Sequence, residues 1–191
     1  YEFKFYKYKN TPHFFSLIMN KNINNNDIKK IFKELKKKDK KIFSYSDNEG
    51  NNILYALILN DNLELFKYLY KMKNTSIQFD AYTPINTYHI FSISYSKSLI
   101  SDDYKFTNYI LDNVLKNHNF NETNKDGDNL AHFIVKSRIM RKIGNYDIEK
   151  KILSMYKFWD RNNVDDKSVL HYLVNLDFEK YAKFIKNIKI N

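Results

Sequence analysis

The chain has 191 residues, of which 43% are hydrophobic and 17% aromatic, and this apolar content excludes a disordered chain. The absence of cysteine excludes a disulfide scaffold and every thiolate metal site. A net charge of +10 favours acidic partners, although the heavy use of Lys, Asn, Ile, Tyr and Phe is typical of an AT-rich genome. No segment approaches the roughly 20 apolar residues of a transmembrane helix or resembles a signal peptide, so we expect a cytoplasmic chain.

Five polar residues, spaced 35 to 42 residues apart, precede apolar runs and act as anchors of an internal repeat. The clearest copies occupy residues 47–56, 124–133 and 163–172. In each copy an Asp or Asn opens a turn, a Gly or Asp follows three residues later, and a polar residue then precedes the apolar run. The anchors are Thr11, Asn52, Thr87, Asn129 and Ser168.

The residue types at the anchors predict a turn that leads into a capped helix. Ser, Thr or Asn at this position can accept a hydrogen bond from the first helical turn. Pro12 follows Thr11 directly, where its missing N–H would cost nothing at the start of a helix. Gly50 and Gly127 take equivalent places in two copies, which predicts a positive φ in each turn.

Each anchor is followed by a short apolar helix and then by a second helix with amphipathic spacing. Ile28, Ile31, Phe32 and Leu35 fall at i, i+3, i+4 and i+7, as expected for one buried helix face. The same pattern predicts second helices at residues 65–69, 109–115, 148–156 and 178–185. The sequence therefore predicts an all-α chain of about ten helices, two for each anchor.

Residues 47–72 resemble an ankyrin repeat. Asp47 and Gly50 match the family's turn, Asn-Ile-Leu-Tyr at 52–55 stands where the family has Thr-Pro-Leu-His, and 63–69 match its second helix. Thr-Pro-His at 11–13 and Leu-His at 170–171 carry parts of the same motif. Two features depart from the family: the spacing exceeds its usual length of about 33 residues, and Asp61 replaces the Gly between the two helices.

The resemblance implies a single domain over residues 1–191, built as an α-solenoid of about five helix-turn-helix repeats that binds a protein partner. Partners of such repeats contact the turn tips and the exposed side of the first helices, which together form a concave groove. We expect a monomeric interaction module. The implied protein-binding residues are Tyr8, Asn10, Met19, Glu49, Asn51, Leu59, Asn60, Asn86, Tyr95, Asp126, Asp128, Lys136, Lys167, Asn175 and Leu176.

Residues capable of catalysis or metal binding fall at repeat-equivalent positions, which favours structural roles for them. His132 and His171 share one motif position, where the family's histidine makes a hydrogen bond within the turn. The acid pairs at 102–103 and 165–166 precede helices, where carboxylates cap. No metal-ligand motif or glycine-rich phosphate loop accompanies them. We therefore expect no enzyme activity, metal or cofactor.

A cluster of lysines leaves a second function open. It consists of Lys29, Lys30, Lys33, Lys36, Lys37, Lys38, Lys40 and Lys41. These lysines form either the solvated face of one helix or a tether to an acidic protein, an anionic membrane or another phosphate-rich surface. The chain has few arginines, which disfavours nucleic acid as a partner. A third reading makes the chain the targeting part of a larger enzyme.

Overall fold

The computed structural model describes the chain in segments that fall into two compact units. Unit 1 comprises Tyr1–Asn86 and unit 2 comprises Thr87–Asn191. The single domain expected from the sequence stays a prediction. The described residues are 7–8, 11–12, 16–18, 20, 22–38, 52–73, 87–115, 123–141, 144–156, 161–176 and 181–182.

Helices make up most of the described residues, which confirms the all-α class. In unit 1 the elements are β1 (Lys7–Tyr8), β2 (Thr11–Pro12), α1 (Asn25–Lys38), α2 (Ile53–Leu59) and α3 (Leu63–Lys73), and residues 16–18 are also helical. In unit 2 they are α4 (Thr87–Ser101), α5 (Lys105–Asn113), α6 (Leu130–Arg141), α7 (Tyr146–Met155) and α8 (Val169–Leu173), and residues 181–182 are helical.

The core of unit 1 forms where amphipathic helices bury the apolar stripes that the sequence predicts. Helix α3 packs against both α1 and α2. Ile28, Phe32 and Leu35 are buried on α1, and Leu65 and Phe66 on α3. Helix α2 is apolar throughout and buries five of its seven residues. Each fully buried aliphatic or aromatic side chain stabilises the fold by about 1.5–3 kcal/mol relative to exposure.

Unit 2 is built from helical hairpins whose first helices pack side by side. Helix α4 pairs with α5, and α6 pairs with α7. The first helices follow one another, since α6 contacts α4 on one side and α8 on the other. Val135, Leu153, Val169, Leu173 and Tyr181 belong to the core cluster that α6, α7 and α8 share with residue 181.

Two of the predicted anchors cap helices as expected. The Asn52 side chain accepts hydrogen bonds from the backbone N–H groups of Leu54 and Tyr55, at 3.0 and 3.2 Å. The Asn129 side chain does the same for Ala131 and His132. These bonds satisfy N–H groups that have no partner within a helix.

Two aspartates adopt a left-handed backbone where α2 and α4 end. Asp61 follows α2 with φ 57°, and Asp102 follows α4 with φ 55°. Left-handed backbone is costly for most residues, but Asp tolerates it because its short side chain can hydrogen-bond locally. Asp61 and Asp102 therefore both hold a conformation that glycine adopts most readily.

The anchor at Thr11 is a correction. The sequence predicts a helix cap followed by Pro12 in the first helical turn, whereas Thr11 and Pro12 form β2 and pair with β1 in the register Lys7↔Pro12 and Tyr8↔Thr11. The fixed φ of proline suits extended backbone as well as a helix start, and edge strands tolerate its missing N–H. Thr-Pro alone therefore does not distinguish the two.

Candidate binding surfaces

Two turns of unit 2 have matching internal hydrogen bonds. In the first, residues 123–129, here called the inner turn, Asn124 Oδ1 accepts the N–H groups of Asp126 and Asp128, both at 2.9 Å. Gly127 adopts φ 72°, which confirms the positive φ predicted for it. Gly50, its counterpart in the sequence, lies outside the described residues.

The second turn, residues 161–168, here called the outer turn, repeats this arrangement. Asn163 Oδ1 accepts the N–H groups of Asp165 and Lys167, at 3.0 and 3.1 Å. Asp166 has φ 55° at the position equivalent to Gly127. The same hydrogen bonds therefore give both turns the same backbone conformation, and Asp166 takes the position that Gly127 has in the inner turn.

The outer turn packs directly on the inner turn. The Val164 N–H donates to the Asp126 carbonyl at 3.0 Å, and Asn163 Nδ2 donates to Asp128 Oδ1 at 2.7 Å. A β-carbon added at Gly127 would come within 3.2 Å of the Asn163 Cα. Gly127 is thus required twice, by its positive φ and by the close approach of the next turn.

The two predicted structural histidines make the expected bonds within their turns. His132 Nδ1 accepts the Asn129 N–H at 3.4 Å, and His171 Nδ1 accepts the Ser168 N–H at 3.0 Å. The Nε2 of His132 therefore carries a hydrogen and donates to the Lys167 carbonyl at 3.1 Å. His132 is fully buried and burial lowers its pKa, whereas His171 is exposed.

Charged and aromatic side chains gather where the inner turn, the outer turn, α6 and α8 meet. Lys136 Nζ donates to Asp128 Oδ2 at 2.7 Å and lies 5.5 Å from the centre of the Tyr172 ring. Burial alone would lower the pKa of Lys136. The hydrogen bond to Asp128 and the negative charge of Asp128 outweigh this effect and raise that pKa. Lys167 Nζ lies 5.9 Å from the same ring, a distance that permits a cation–π interaction.

These contacts define a polar surface that we name the turn face. It presents Asp126, Lys136, Lys167, Tyr172 and Asn175 to solvent, fully or in part. Four of these five residues belong to the protein-binding set predicted from the sequence, and Tyr172 adds an aromatic side chain that the set omits. The structure thus brings one group of the predicted residues together.

The other predicted residues divide into buried, partly exposed and undescribed positions. Asp128 is only 4% exposed because Asn163 and Lys136 hold its carboxylate, so its assignment as an exposed turn tip is wrong. Leu176 is half-buried against the core of unit 2. Leu59 is 46% exposed at the end of α2. Tyr8 belongs to β1. Asn10, Met19, Glu49, Asn51 and Asn86 lie outside the described residues.

Tyr95 is a second correction, because its side chain is 1% exposed and cannot face a partner. Its hydroxyl accepts the Asn145 N–H at 3.0 Å and donates to Glu149 Oε1 at 3.3 Å. Its ring packs edge-on against Phe133. Helix α4 has 15 residues where α2 has seven. Because α4 continues beyond the point equivalent to the end of α2, Tyr95 lies within the helix and among its packed neighbours. It is therefore not at the exposed helix end that the sequence predicts.

A buried carboxylate that the sequence analysis missed links distant parts of unit 2. Glu149 is 1% exposed and accepts the Tyr181 hydroxyl at 2.6 Å, with Arg138 Nη1 at 3.7 Å. Arg138 also donates to the Gly144 carbonyl at 3.0 Å. This group ties α4, α6 and α7 to residue 181 and leaves little space beside Gly144. Removing one partner of such a buried pair leaves a buried charge uncompensated, which costs about 3–5 kcal/mol.

Unit 1 contains a pocket of about 390 Å³ beside the connection between α2 and α3. Apolar residues form one part of its lining and carboxamides and carboxylates form the other. The apolar residues are Ile18, Ile23, Ile28 and Leu63, and the polar residues are Asn20, Asn25, Asn60, Asp61, Asn62 and Glu64. The predicted binding residue Asn60 belongs to this lining.

Most of the described lysines on α1 make contacts within the chain. Lys29 pairs with Glu64 at the start of α3. Lys36 Nζ donates to the Met72 carbonyl at the end of α3, at 2.9 Å, so both lysines join α1 to α3. Lys30 and Lys37 pair with acids on α1 itself. Exposed pairs of this kind contribute at most about 1 kcal/mol each. Lys40 and Lys41 lie outside the described residues.

The described residues contain no group of three or more His, Asp or Glu side chains that could hold a metal ion. None of their helices combines the length and the apolar character needed to cross a bilayer.

No protein-family model matches the sequence, and neither the curated proteins nor the solved structures include a match.

Proposed function

We propose that the chain is a divergent ankyrin-like module of about five helix-turn-helix repeats that binds a protein partner through the turn face. The observation that carries the proposal is the stacking of the inner and outer turns, joined by the bond from the Val164 N–H to the Asp126 carbonyl. Equivalent turns in contact, each leading into a first helix, support a repeat architecture. The proposal assigns no catalytic step to the chain.

The composition of the turn face supports a protein as the ligand. Tyr172 offers a large side chain with little conformational entropy to lose, a property of residues that dominate binding energy at interfaces. Lys167 Nζ lies 5.9 Å from its ring, and the turn face also exposes the carboxylate of Asp126 and the carboxamide of Asn175. An aromatic centre with a mixed polar border matches the core and rim of protein interfaces. A uniformly basic face would instead fit a phosphate backbone.

The rigidity of the turn face also supports the proposal. Asp128, Asn163 and Lys136 hold one another by bonds of 2.7 Å, and Tyr172 is anchored by the Asn163 amide at 3.1 Å from its hydroxyl. Side chains fixed before binding lose less entropy when a partner docks. The buried residues of this network therefore position the exposed ones.

Affinity capture followed by cross-linking tests the proposal. The tagged chain is incubated with a lysate of its native source, and bound proteins are identified by mass spectrometry. The captured partner is then cross-linked to the chain through lysines. We expect cross-links at Lys136 and Lys167, and fewer at Lys30 and Lys37 on α1. A partner cross-linked only to α1 would contradict the proposed surface and favour the electrostatic tether.

A further inference from the structure

The outer turn exposes an edge that corresponds to the surface of the inner turn on which the outer turn itself packs. We name it the outer edge, and it consists of Asp165, Asp166, Lys167 and His171, all of them exposed. We propose that the outer edge ends the stack of turns, because it does not accept a further turn of the same kind. The inference rests on the repeat architecture of the proposed function. It goes beyond that function because it concerns where the stack ends and not which partner binds.

Two groups of the outer edge could receive a further turn. In the inner turn, the Asp126 carbonyl accepts an N–H of the outer turn at 3.0 Å, and His132 Nε2 donates to a carbonyl of the outer turn at 3.1 Å. The equivalent groups of the outer edge are the Asp165 carbonyl and His171 Nε2, which carries a hydrogen because His171 Nδ1 accepts the Ser168 N–H. Neither has a hydrogen-bond partner in the part of the chain that the structure describes. As at the edge of a sheet, such open groups attract a further segment unless neighbouring side chains prevent it.

Lys167 is the first side chain that prevents it. In the inner turn the equivalent position holds Asp128, whose carboxylate accepts Asn163 Nδ2 at 2.7 Å. Asn163 Oδ1 already accepts two N–H groups of its own turn, so only its Nδ2 faces the inner turn. The ammonium of Lys167 has donors and no acceptor. A further turn built like the outer turn would therefore bring an NH2 group against an ammonium. Both groups would leave water without a hydrogen bond between them, which is costly.

Asp166 is the second obstacle, because it has a β-carbon where the inner turn has none. A β-carbon built on Gly127 would lie 3.2 Å from Asn163 Cα and 3.3 Å from the Val164 nitrogen. Both distances are shorter than an ordinary contact of about 3.5–4.0 Å. Asp166, at φ 55°, has this β-carbon in the equivalent position. A further turn would therefore have to lie farther away, and the hydrogen bond equivalent to that of the Val164 N–H would lengthen.

Moving the two residues of the outer edge into the inner turn tests the inference on turns that are in contact. The variant combines Gly127→Asp with Asp128→Lys, and Asp suits this positive φ, as Asp166 shows. Hydrogen exchange of the isotopically labelled full chain is read by NMR at the Val164 amide, which donates between the turns. We expect its exchange to become at least about tenfold faster, because the outer turn no longer packs on the inner one. Unchanged exchange at Val164 would show that a turn with these residues accepts the next turn, and would overturn the inference.

Single changes decide the question if the double variant does not fold. Gly127→Asn adds a β-carbon with a residue that also adopts a positive φ, and Asp128→Lys replaces the acceptor by a donor. Each should speed exchange at Val164 by about threefold or more, while the Ala131 amide, which donates to the cap at Asn129, stays within about twofold of the parent chain. Equal changes at Val164 and Ala131 would mean that unit 2 has loosened as a whole, and would contradict a specific effect on stacking.

The matched control makes the reverse exchange at the outer edge, Asp166→Gly with Lys167→Asp. Both positions are exposed, so we expect hydrogen exchange at Val164 to stay within about twofold of the parent chain. An acceleration of about tenfold in this control would show that Asp166 and Lys167 stabilise the contact between the turns, which contradicts their role at an open edge. Capture and cross-linking test partner binding separately, so failure here leaves the proposed binding at the turn face standing.

Discussion

The inner and outer turns of unit 2 have the same backbone conformation but differ in the residues that cover them. Both have an asparagine whose side chain accepts two backbone N–H groups, and both have a residue with positive φ. The outer turn covers Gly127 and Asp128 of the inner turn, whereas the equivalent residues of the outer turn, Asp166 and Lys167, are exposed. The same local motif therefore carries packing in one place and a solvent-facing surface in the other.

Residues at equivalent positions follow this difference. Gly127 faces the backbone of Asn163, and its counterpart is Asp166. Asp128 is buried and paired, and its counterpart Lys167 is exposed. A covered position requires a residue that fits its neighbours, and an exposed one requires only the local conformation. Matched substitutions at the two turns can measure how much each requirement contributes.

The largest difference is expected between Gly127→Val and Asp166→Val. Both changes place a β-branched residue at a positive φ, which strains the backbone. Only Gly127→Val also drives a side chain into the backbone of residues 163 and 164. We expect a loss of about 3 kcal/mol in the free energy of unfolding for Gly127→Val and about 1 kcal/mol for Asp166→Val. Denaturant unfolding gives both values, and equal losses would show that the close approach contributes nothing.

The second comparison pairs Asp128→Ala with Lys167→Ala. Removing the Asp128 carboxylate takes from the buried Asn163 amide the shorter of its two hydrogen bonds, leaving the one to the Tyr172 hydroxyl, and leaves Lys136 without its ion pair. We expect this change to cost about 2 kcal/mol, as for other buried groups that lose a partner. Lys167→Ala should change the free energy of unfolding by less than about 0.5 kcal/mol, because the side chain is exposed. A costly Lys167→Ala would mean that the outer turn is covered as well.

The smallest effect concerns pH and the two histidines. Burial holds the pKa of His132 below its unfolded value near 6.5. As the pH falls, the unfolded state therefore binds more protons than the folded state does. The contribution of His132 to the free energy of unfolding should therefore be fully present above about pH 6.5 and decrease as the pH falls below it. We expect His132→Gln to cost about 1 kcal/mol at pH 8 and to remove this decrease. His171→Gln, at an exposed position, should cost less than about 0.5 kcal/mol at pH 8. A pH dependence that His132→Gln leaves unchanged would assign the decrease to another group.

Features that depend on local chemistry could be predicted from the sequence. The helix caps at Asn52 and Asn129, the buried stripe of α1 and the positive φ of Gly127 are set by residues within a few positions of one another. Short-range hydrogen bonds and helical periodicity determine such features largely on their own. The five-repeat architecture and the groove remain proposals.

Features that depend on helix length or on distant partners were missed. Tyr95 lies in the core because α4 is longer than α2, and helix ends are hard to place from sequence. The pocket joins residues near 20–28 with residues 60–64, which no local pattern connects. One signal for Glu149 was present. It stands three, four and seven residues before Ile152, Leu153 and Tyr156, on the same apolar stripe, where a charge requires a buried partner.

The most direct test of partner binding at the turn face compares two surfaces with one captured partner. One variant combines Asp126→Ala, Lys167→Ala and Asn175→Ala, and the other combines Lys30→Gln, Lys33→Gln and Lys37→Gln on α1, all at exposed positions. The Kd of each is measured by calorimetry at low salt and at about 0.15 M, where exposed charges are largely screened. The account predicts that the turn-face variant weakens binding about tenfold or more at both salt concentrations, while the lysine variant stays within about twofold of the parent chain. Loss of binding in the lysine variant alone, with a steep salt dependence, would contradict it.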